Sequence, residues 1–171
     1  MRTSSLRLAT ESDLPAINEI YNHYVLCSTC TYQLEPETMA DRLIWFREHP
    51  PEKYPVIVSE TEGQITGWGA LSKFRPRAAL APTVEASVYI IDKMHRRGLG
   101  RMILTDLIER ARQAGFHSMI GSVSAEQTAS IALQESTGFR RVAHLVEIGN
   151  KFGKWLDLIY MQLMLDPNIP R

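Results

Sequence analysis

One passage constrains the fold of this chain more than any other. The run TVEASVYII at residues 83–91 is β-branched and aromatic and predicts a strand. An arginine-rich loop follows it and leads through Gly98-Leu99-Gly100 into a long segment in which Leu99, Ile103 and Leu107 repeat at helical spacing. The passage predicts a strand, a short glycine loop and a helix packed back on the sheet.

This strand-to-helix junction has the chemistry of an anion site. A helix N-terminus offers unpaired N–H groups, glycines let the backbone approach a phosphate, and Arg96, Arg97 and Arg101 add positive charge. The loop therefore predicts a pyrophosphate site, with a plain tight turn and solvated arginines as the alternative. The dinucleotide fingerprint requires a third glycine where this chain has Ile103, and the GK[ST] of the NTPase phosphate loop does not occur.

The strand before the loop carries a carboxylate at its middle. Alternation puts Val84, Ala86, Val88 and Ile90 on one face and Glu85, Ser87, Tyr89 and Ile91 on the other. Burying a lone carboxylate costs several kcal/mol unless it is paired or lines a wet cleft, so Glu85 is a candidate functional residue. The alternatives are an exposed strand face or an ion pair with Arg75 or Arg77.

The rest of the pattern predicts seven strands and four helices in the order βααβββαβαββ. Strands are expected at 6–9, 54–60, 64–72, 117–123, 140–148 and 154–165. Helices are expected after Thr10, from 35–38 to His49 with Met39, Leu43 and Phe46 as the apolar stripe, and at 126–137 with Gly138 as C-cap. These elements predict an α/β (α+β) fold: one domain at 1–165 around a mixed sheet, followed by a loose tail at 166–171.

Composition excludes several classes of function. The 171 residues are 44% hydrophobic and carry 19 Lys+Arg against 19 Asp+Glu, a balance that gives no electrostatic argument for nucleic acid. No stretch reaches the roughly 18 apolar residues of a membrane span. We therefore expect a cytoplasmic protein that binds neither nucleic acid nor membrane.

The two cysteines, Cys27 and Cys30, form a CxxC pair at the end of the first helix. A redox pair would instead be expected at the start of a helix, and a zinc site would require a second pair that no histidine spacing supplies. We expect ordinary thiols and no bound metal.

The glycine loop and the helix that follows it resemble those of the GNAT N-acetyltransferases, which use acetyl-CoA. Ser130-Ile131-Ala132-Leu133 to Gly138-Phe139 matches a later motif of that superfamily. Within it the chain is similar to the phosphinothricin N-acetyltransferase branch, whose marks occur here in order: YNHY at 21–24 leading to STCTY at 28–32, FRPR at 74–77, TVEASVY at 83–89, HRRGLG at 95–100 and KFGKWLD at 151–157.

The resemblance implies the GNAT fold, with a mostly antiparallel sheet of about seven strands flanked by four helices. It implies that Glu85 acts as the catalytic base. It implies the following acetyl-CoA contacts: Val88, Tyr89, Ile90, Arg96, Arg97, Gly98, Leu99, Gly100, Arg101, Gln127 and Ser136. For the amino-acid acceptor it implies Tyr32, Phe74, Arg75, Arg77, Glu85, Ala86 and Ser87.

Three positions depart from the family pattern. His95 stands where Gln or Arg is usual, and Gln127 where many relatives have Asn. Gln134 stands where a Tyr or His often serves as general acid, and an amide cannot donate a proton usefully. The departing thiolate is then expected to leave unassisted or to take a proton through water or a hydroxyl such as that of Ser136.

Two arginines held by a proline in one loop, Arg75 and Arg77, suit bidentate binding of an oxyanion. They favour an amino acid with a tetrahedral side group: phosphinothricin, arsinothricin, methionine sulfoximine or methionine sulfone, in a detoxification or resistance role. The alternatives are an acetyltransferase acting on a protein N-terminus or a polyamine, and a CoA-binding sensor without turnover.

Relatives of this branch are usually homodimers, so the resemblance implies a homodimer here. Phe152 and Trp155 are candidates for that interface, and a β-sheet core would explain Trp155 equally well.

Overall fold

A computed structural model describes residues 4–166 of the chain. The order of elements is β1 Ser4–Leu8, α1 Leu14–Cys27, α2 Met39–Arg47, β2 Val56–Thr61, β3 Gln64–Lys73, β4 Thr83–Ile90, α3 Leu99–Gln113, β5 Ser118–Ser124, α4 Thr128–Ser136, β6 Arg140–Lys151 and β7 Lys154–Met164. The predicted order of strands and helices is confirmed. Apart from Asp166, the predicted tail lies outside the described residues.

The sheet has seven strands in the order β1-β2-β3-β4-β5-β7-β6. Only the pairing of β4 with β5 is parallel among the described strands, and every other pair is antiparallel. The predicted mixed, mostly antiparallel sheet with four flanking helices is thus confirmed. The single parallel step is where a crossover helix, α3, returns the chain to the sheet.

Helices cover both faces of the sheet and form two hydrophobic cores. On one face α3 buries Ile103 and Leu107 completely against Val84 of β4, each worth about 2–3 kcal/mol of burial. On the other face α1 buries Ile17 against Val58 and other residues of β2 and β3. These cores fix β4 between them, with its predicted alternation intact.

Helix α2 differs from its prediction. Met39 is 44% exposed, whereas Arg42 is 2% exposed. The Arg42 guanidinium lies 4.7 Å from the ring centroids of Tyr21 and Trp45, and its Nη2 is 2.7 Å from Glu37 Oε2. Aromatic faces and a carboxylate offset the cost of burying this charge, although burial still lowers the pKa of Arg42. An apolar stripe cannot indicate such a position.

The hairpin of β6 and β7 is longer than predicted. β6 continues past residue 148 to Lys151 through an irregularity between Leu145 and Gly149. Trp155 is 64% exposed in this chain, so the interpretation of Trp155 as a core residue is wrong. Trp155 lies on β7 opposite Asn150 of β6, the last strand of the sheet.

Candidate active site

A cavity opens where β4 and β5 separate. Their parallel pairing lasts for three residues, from Thr83 with Ser118 to Glu85 with Ile120. Beyond that point β4 continues beside β3 to Ile90, and β5 continues beside β7 to Ser124. A cavity of about 500 Å³ lies in the resulting fork, with residues 85–90 of β4 along one wall.

Glu85 lies at the vertex of this fork. It is half-buried, on the face opposite Val84, as its position in the strand predicts. Its Oε1 accepts a short hydrogen bond from the Ser122 hydroxyl of β5, across the opening. Neither Arg75 nor Arg77 pairs with it among the described residues, so the ion-pair interpretation of Glu85 is not supported.

The glycine loop closes one end of the cavity. Gly98 has φ +81° and Arg96 has φ +58°, so both adopt the left-handed conformation, which costs Arg96 about 1–2 kcal/mol. No side chain caps α3 at Gly98 among residues 4–166, which leaves its first-turn N–H groups free for an anion. Gly100 lines the cavity and also has a packing role: a Cβ there would lie 3.1 Å from Leu133, so this glycine allows α3 and α4 to pack closely.

Positive charge surrounds that helix N-terminus. Arg96, Arg97 and Arg101 are all exposed, and none forms an ion pair with another described residue. The cavity is lined by Arg96 and Arg101 but not by Arg97. Free donors, a positive helix end and unpaired guanidiniums together suit a pyrophosphate.

A polar cluster that the sequence does not indicate lies beside the loop. The Tyr24 hydroxyl of α1 donates a short hydrogen bond to the Ile90 carbonyl and lies 2.9 Å from both Asp92 Oδ1 and His95 Nε2. Burial raises the pKa of Tyr24, and the hydrogen bond from Tyr24 lowers that of Asp92. The His95 side chain therefore joins the start of the loop to α1.

Helix α4 forms the opposite wall. Gln134 is 9% exposed, its Oε1 has no hydrogen-bond partner among the described residues, and a Cβ at Gly121 would lie 2.0 Å from that oxygen. Gln127 also lines the cavity, and its amide donates to Thr29. Ser136 does not line the cavity: its exposed hydroxyl donates to the Leu133 carbonyl at 2.7 Å. The structure therefore does not bring the hydroxyl of Ser136 to the site.

The predicted acceptor residues divide into two groups. Ala86 and Ser87 line the cavity beside Glu85, but Phe74, Arg75, Arg77 and Tyr32 lie outside its lining. Arg75 Nη2 donates to the Tyr160 hydroxyl at 2.7 Å, Arg77 is exposed, and the Tyr32 hydroxyl donates to the Asp157 carbonyl at 2.9 Å.

One cysteine reaches the cavity. Cys30 lines it together with Ser28, and both belong to the STCTY mark at 28–32. Burial raises the pKa of the Cys30 thiol, which disfavours the nucleophilic thiolate. Both cysteines are free, as expected.

Comparisons with known proteins decide the family. A family model described as an acetyltransferase (GNAT) domain matches residues 6–160. The chain is 40% identical to an L-methionine sulfoximine/L-methionine sulfone acetyltransferase of Salmonella typhimurium, with 95% of each chain covered. This chain belongs to the GNAT acetyltransferase family.

Two solved structures extend the likeness to the whole GNAT fold. A phosphinothricin acetyltransferase from Sinorhizobium meliloti in complex with AcCoA has a TM-score of 0.92 at 34% identity, covering 95% of this chain and 88% of its own. A ribosomal-protein-alanine N-acetyltransferase from Brucella melitensis has a TM-score of 0.91 at 38% identity, covering 94% and 99%. The chain is therefore an acetyltransferase by family.

Residues 4–166 contain neither a membrane-spanning helix nor a cluster of metal-ligating side chains. No helix there has the length and apolar character to cross a membrane. No group of three or more His, Cys, Asp and Glu residues there is arranged to hold a metal ion.

Proposed function

We propose that this acetyltransferase transfers the acetyl group of acetyl-CoA to the α-amino group of a small amino acid with a tetrahedral, oxyanion-like side group. The observation that carries the proposal is the position of Glu85: a carboxylate at the vertex of the β4–β5 fork, in a cavity whose far end is an uncapped helix N-terminus. The similarity to enzymes named for methionine sulfoximine and phosphinothricin supports the choice of acceptor.

The cavity suits acetyl-CoA at both ends. The first-turn N–H groups of α3, with Arg96, Arg97 and Arg101, would hold the pyrophosphate, and Gln127 lies on the facing wall. The edge of β4 that faces the fork, from Val88 through Tyr89 to Ile90, has no strand partner there and offers backbone groups to the amides of the pantetheine arm. Acetyl-CoA supplies an acetyl group activated as a thioester.

Glu85 acts as the general base. An ammonium group has no lone pair, so the acceptor nitrogen must lose a proton before it can attack the thioester carbonyl. The Glu85 carboxylate takes that proton directly or through a water, and the Ser122 hydroxyl holds the carboxylate in the fork. Backbone N–H groups near Val88 and Tyr89 polarise the carbonyl.

The proton for the departing thiolate comes through water. Gln134 has no acidic proton to give, the hydroxyl of Ser136 is engaged by Leu133, and the Tyr24 hydroxyl, although Tyr24 lines the cavity, is engaged by the Ile90 carbonyl. A thiolate is also a good enough leaving group to depart without full protonation, because a thiol is a far stronger acid than water.

The loop at 74–77 recognises the acceptor side group. Phe74, Arg75 and Arg77 lie next to the strand end that carries Glu85, and Ala86 and Ser87 continue from it. Tyr32, which the family resemblance also assigns to the acceptor, is anchored to β7 through the Asp157 carbonyl. Phosphinothricin, arsinothricin, methionine sulfoximine and methionine sulfone share the outline that two guanidiniums select, which implies a detoxification or resistance role.

The remaining expectations concern assembly and location. Val146, Ile148 and Trp155 are exposed on the β6–β7 hairpin at 70%, 54% and 64%, a surface that a homodimer would bury. We propose a homodimer through this hairpin, including Phe152, and a cytoplasmic location.

A second acceptor class has its own support. The likeness to a ribosomal-protein-alanine N-acetyltransferase favours a protein N-terminus, which has a free α-amino group but no side-group oxyanion. The open fork admits either acceptor, so the arginine loop is the feature that separates them.

The test is CoA thiol release with phosphinothricin, arsinothricin, methionine sulfoximine, methionine sulfone, glutamate, spermidine and an alanine-initiated peptide. Glu85→Gln should lower kcat by about 100-fold or more, because general-base catalysis contributes about that much. Glu109→Gln, on the exposed side of α3, is the matched control and should leave kcat unchanged. Release with the peptide alone would contradict the acceptor assignment, and acetyl-CoA binding without release would favour a sensor.

A further inference from the structure

A residue of β7 completes the acceptor end of the site. Tyr160 is the register partner of Ser122, so the two side chains share one face of the sheet. Ser122 in turn contacts Glu85. A polar row therefore runs across the sheet from Glu85 through Ser122 to Tyr160, starting at the fork.

The arginine loop crosses the sheet to reach this row. Arg75 follows the end of β3, whereas Tyr160 lies on β7, and strands β4 and β5 separate the two. Nevertheless Arg75 Nη2 donates to the Tyr160 hydroxyl at 2.7 Å. The Phe74 ring meets the Tyr160 ring edge-on, with centroids 6.2 Å apart, and the Arg75 guanidinium lies 4.4 Å from the Phe74 centroid. The contact holds the loop across the strand ends near Glu85.

The hydrogen bonds of this contact leave donors free. Arg75 uses Nη1 for the Phe74 carbonyl and Nη2 for Tyr160, and a guanidinium has five N–H donors. The Tyr160 oxygen accepts from Arg75, and its own proton is given to no other described residue. Two neighbouring groups therefore present donors to one place, as an oxyanion requires.

We propose that Tyr160 is a specificity-determining residue: it fixes the Arg75 guanidinium and donates its own hydroxyl proton to the oxyanion of the acceptor side group. The inference rests on the proposed function and deepens it. It distinguishes an acceptor such as phosphinothricin, whose phosphinate uses these donors, from methionine, which has the same backbone but no oxyanion.

Tyr160→Phe tests the proposal because it keeps the ring contact with Phe74 and removes only the hydroxyl. We expect the KM for phosphinothricin to rise about tenfold, the usual scale for a hydrogen bond to a charged group, with kcat and the KM for acetyl-CoA unchanged. The KM for methionine should stay the same. Tyr54→Phe is the matched control, since the Tyr54 hydroxyl has no hydrogen bond to a described residue, and it should change neither constant.

A double-mutant cycle separates a specific role from a merely structural one. If Tyr160 acts with Arg75, then Tyr160→Phe should raise the KM for phosphinothricin much less than tenfold when Arg75→Gln is already present. Equal losses for phosphinothricin and methionine would overturn the inference in favour of a structural contact. The inference would also be overturned if the parent acetylates phosphinothricin and Tyr160→Phe has the same KM for it as the parent. The proposed function would still stand after that result. Both the inference and the proposed function would be overturned if the parent acetylates no oxyanion-bearing amino acid and binds none in calorimetry with CoA present.

Discussion

The two edges of strand β4 are used in opposite ways. On the β3 side the pairing runs from Lys73 with Val84 to Gly67 with Ile90. On the β5 side it stops after Glu85. The same residues, 86–90, are thus fully paired on one side and open on the other. The difference shows that the site forms where the pairing of β4 with β5 stops. Because β3 holds β4 firmly along one edge, the other edge can stay free to bind a ligand.

The largest effect is expected on the closed edge, where α3 presses against β3. A Cβ at Gly69 would lie 2.6 Å from Ile103 Cγ2 and 2.9 Å from Leu107 Cδ1, and both side chains are fully buried. Gly69→Ala should lower the free energy of unfolding by about 1–3 kcal/mol through overpacking. A Cβ at Gly67 would lie no closer than 3.0 Å to any neighbouring atom, so Gly67→Ala should lower the free energy of unfolding by less. Denaturant titration of both variants and the parent measures this. A Gly69→Ala protein as stable as the parent would show that the closed edge is loosely packed.

An ion pair away from the fork predicts a pH effect on stability. The Arg7 guanidinium contacts Asp13 at 2.7 Å and lowers the pKa of Asp13 from 3.8 to about 2. Because the folded-state pKa lies below the unfolded one, the stabilisation is complete above pH 4 and is lost as the pH falls towards 2. Asp13→Asn should remove about 1–2 kcal/mol at neutral pH, after allowance for the exposure of Arg7.

Chemical denaturation of parent and Asp13→Asn across this pH range checks the sign. The difference in free energy of unfolding between parent and Asp13→Asn should shrink as the pH falls. Asp106→Asn, which removes an i,i+4 pair with Arg110 on α3, is the control and should cost under about 0.5 kcal/mol at any pH. A difference that grows towards low pH would contradict the assignment.

The arginines at the open edge are unpaired, and their removal should weaken acetyl-CoA binding. Arg97→Gln with Arg101→Gln should raise the dissociation constant for acetyl-CoA by about tenfold at low salt and by less at high salt, because both charges are exposed. Calorimetric titration at two salt concentrations measures this. Arg141→Gln, whose guanidinium is already paired with Glu135, is the control. A loss independent of salt would mean that the arginines act through structure and not through charge.

The smallest effect concerns the anchor of the glycine loop. Tyr24→Phe removes the hydroxyl that contacts Ile90, Asp92 and His95. Without it the loop is held less firmly, and we expect the KM for acetyl-CoA to rise about two- to fivefold, the worth of one ordinary hydrogen bond. The KM for the amino acid should not change. His95→Gln keeps an N–H donor and should raise the KM for acetyl-CoA by less than Tyr24→Phe does. A larger rise for His95→Gln would mean that the imidazole does more than anchor the loop to Tyr24.

The comparison of the two edges also shows what the sequence can predict. The alternation of strand residues and the period of helical residues predicted the face on which Glu85 lies, the glycine loop and the order of the elements. Each of these features depends on residues that are close in sequence. The end of the β4–β5 pairing depends on how β5 follows β7, which no local pattern records. The Tyr24 cluster and the contact of Arg75 with Tyr160 join residues 66 to 85 positions apart, so they could not be predicted from spacing.

Two features that the sequence does not indicate, the burial of Arg42 and the packing role of Gly100, have the same physical origin. Arg42 was hidden by a helix pattern that counts apolar residues, whereas its aromatic surroundings come from α1, α2 and β3. Gly100 was predicted only as a phosphate contact, and its additional packing role depends on Leu133 of α4, which lies 3.1 Å from where a Cβ would be. In both cases the deciding neighbour lies on another element.

The most direct test is a map of backbone amide shifts during titration of the protein with acetyl-CoA. The largest shifts should fall on 86–90 and on 98–101, the open edge of β4 and the N-terminus of α3, with much smaller shifts at 64–73 on the closed edge. Shifts confined to the β6–β7 hairpin, or the absence of any shift at 86–90 on saturation, would contradict the assignment of the fork as the acetyl-CoA site.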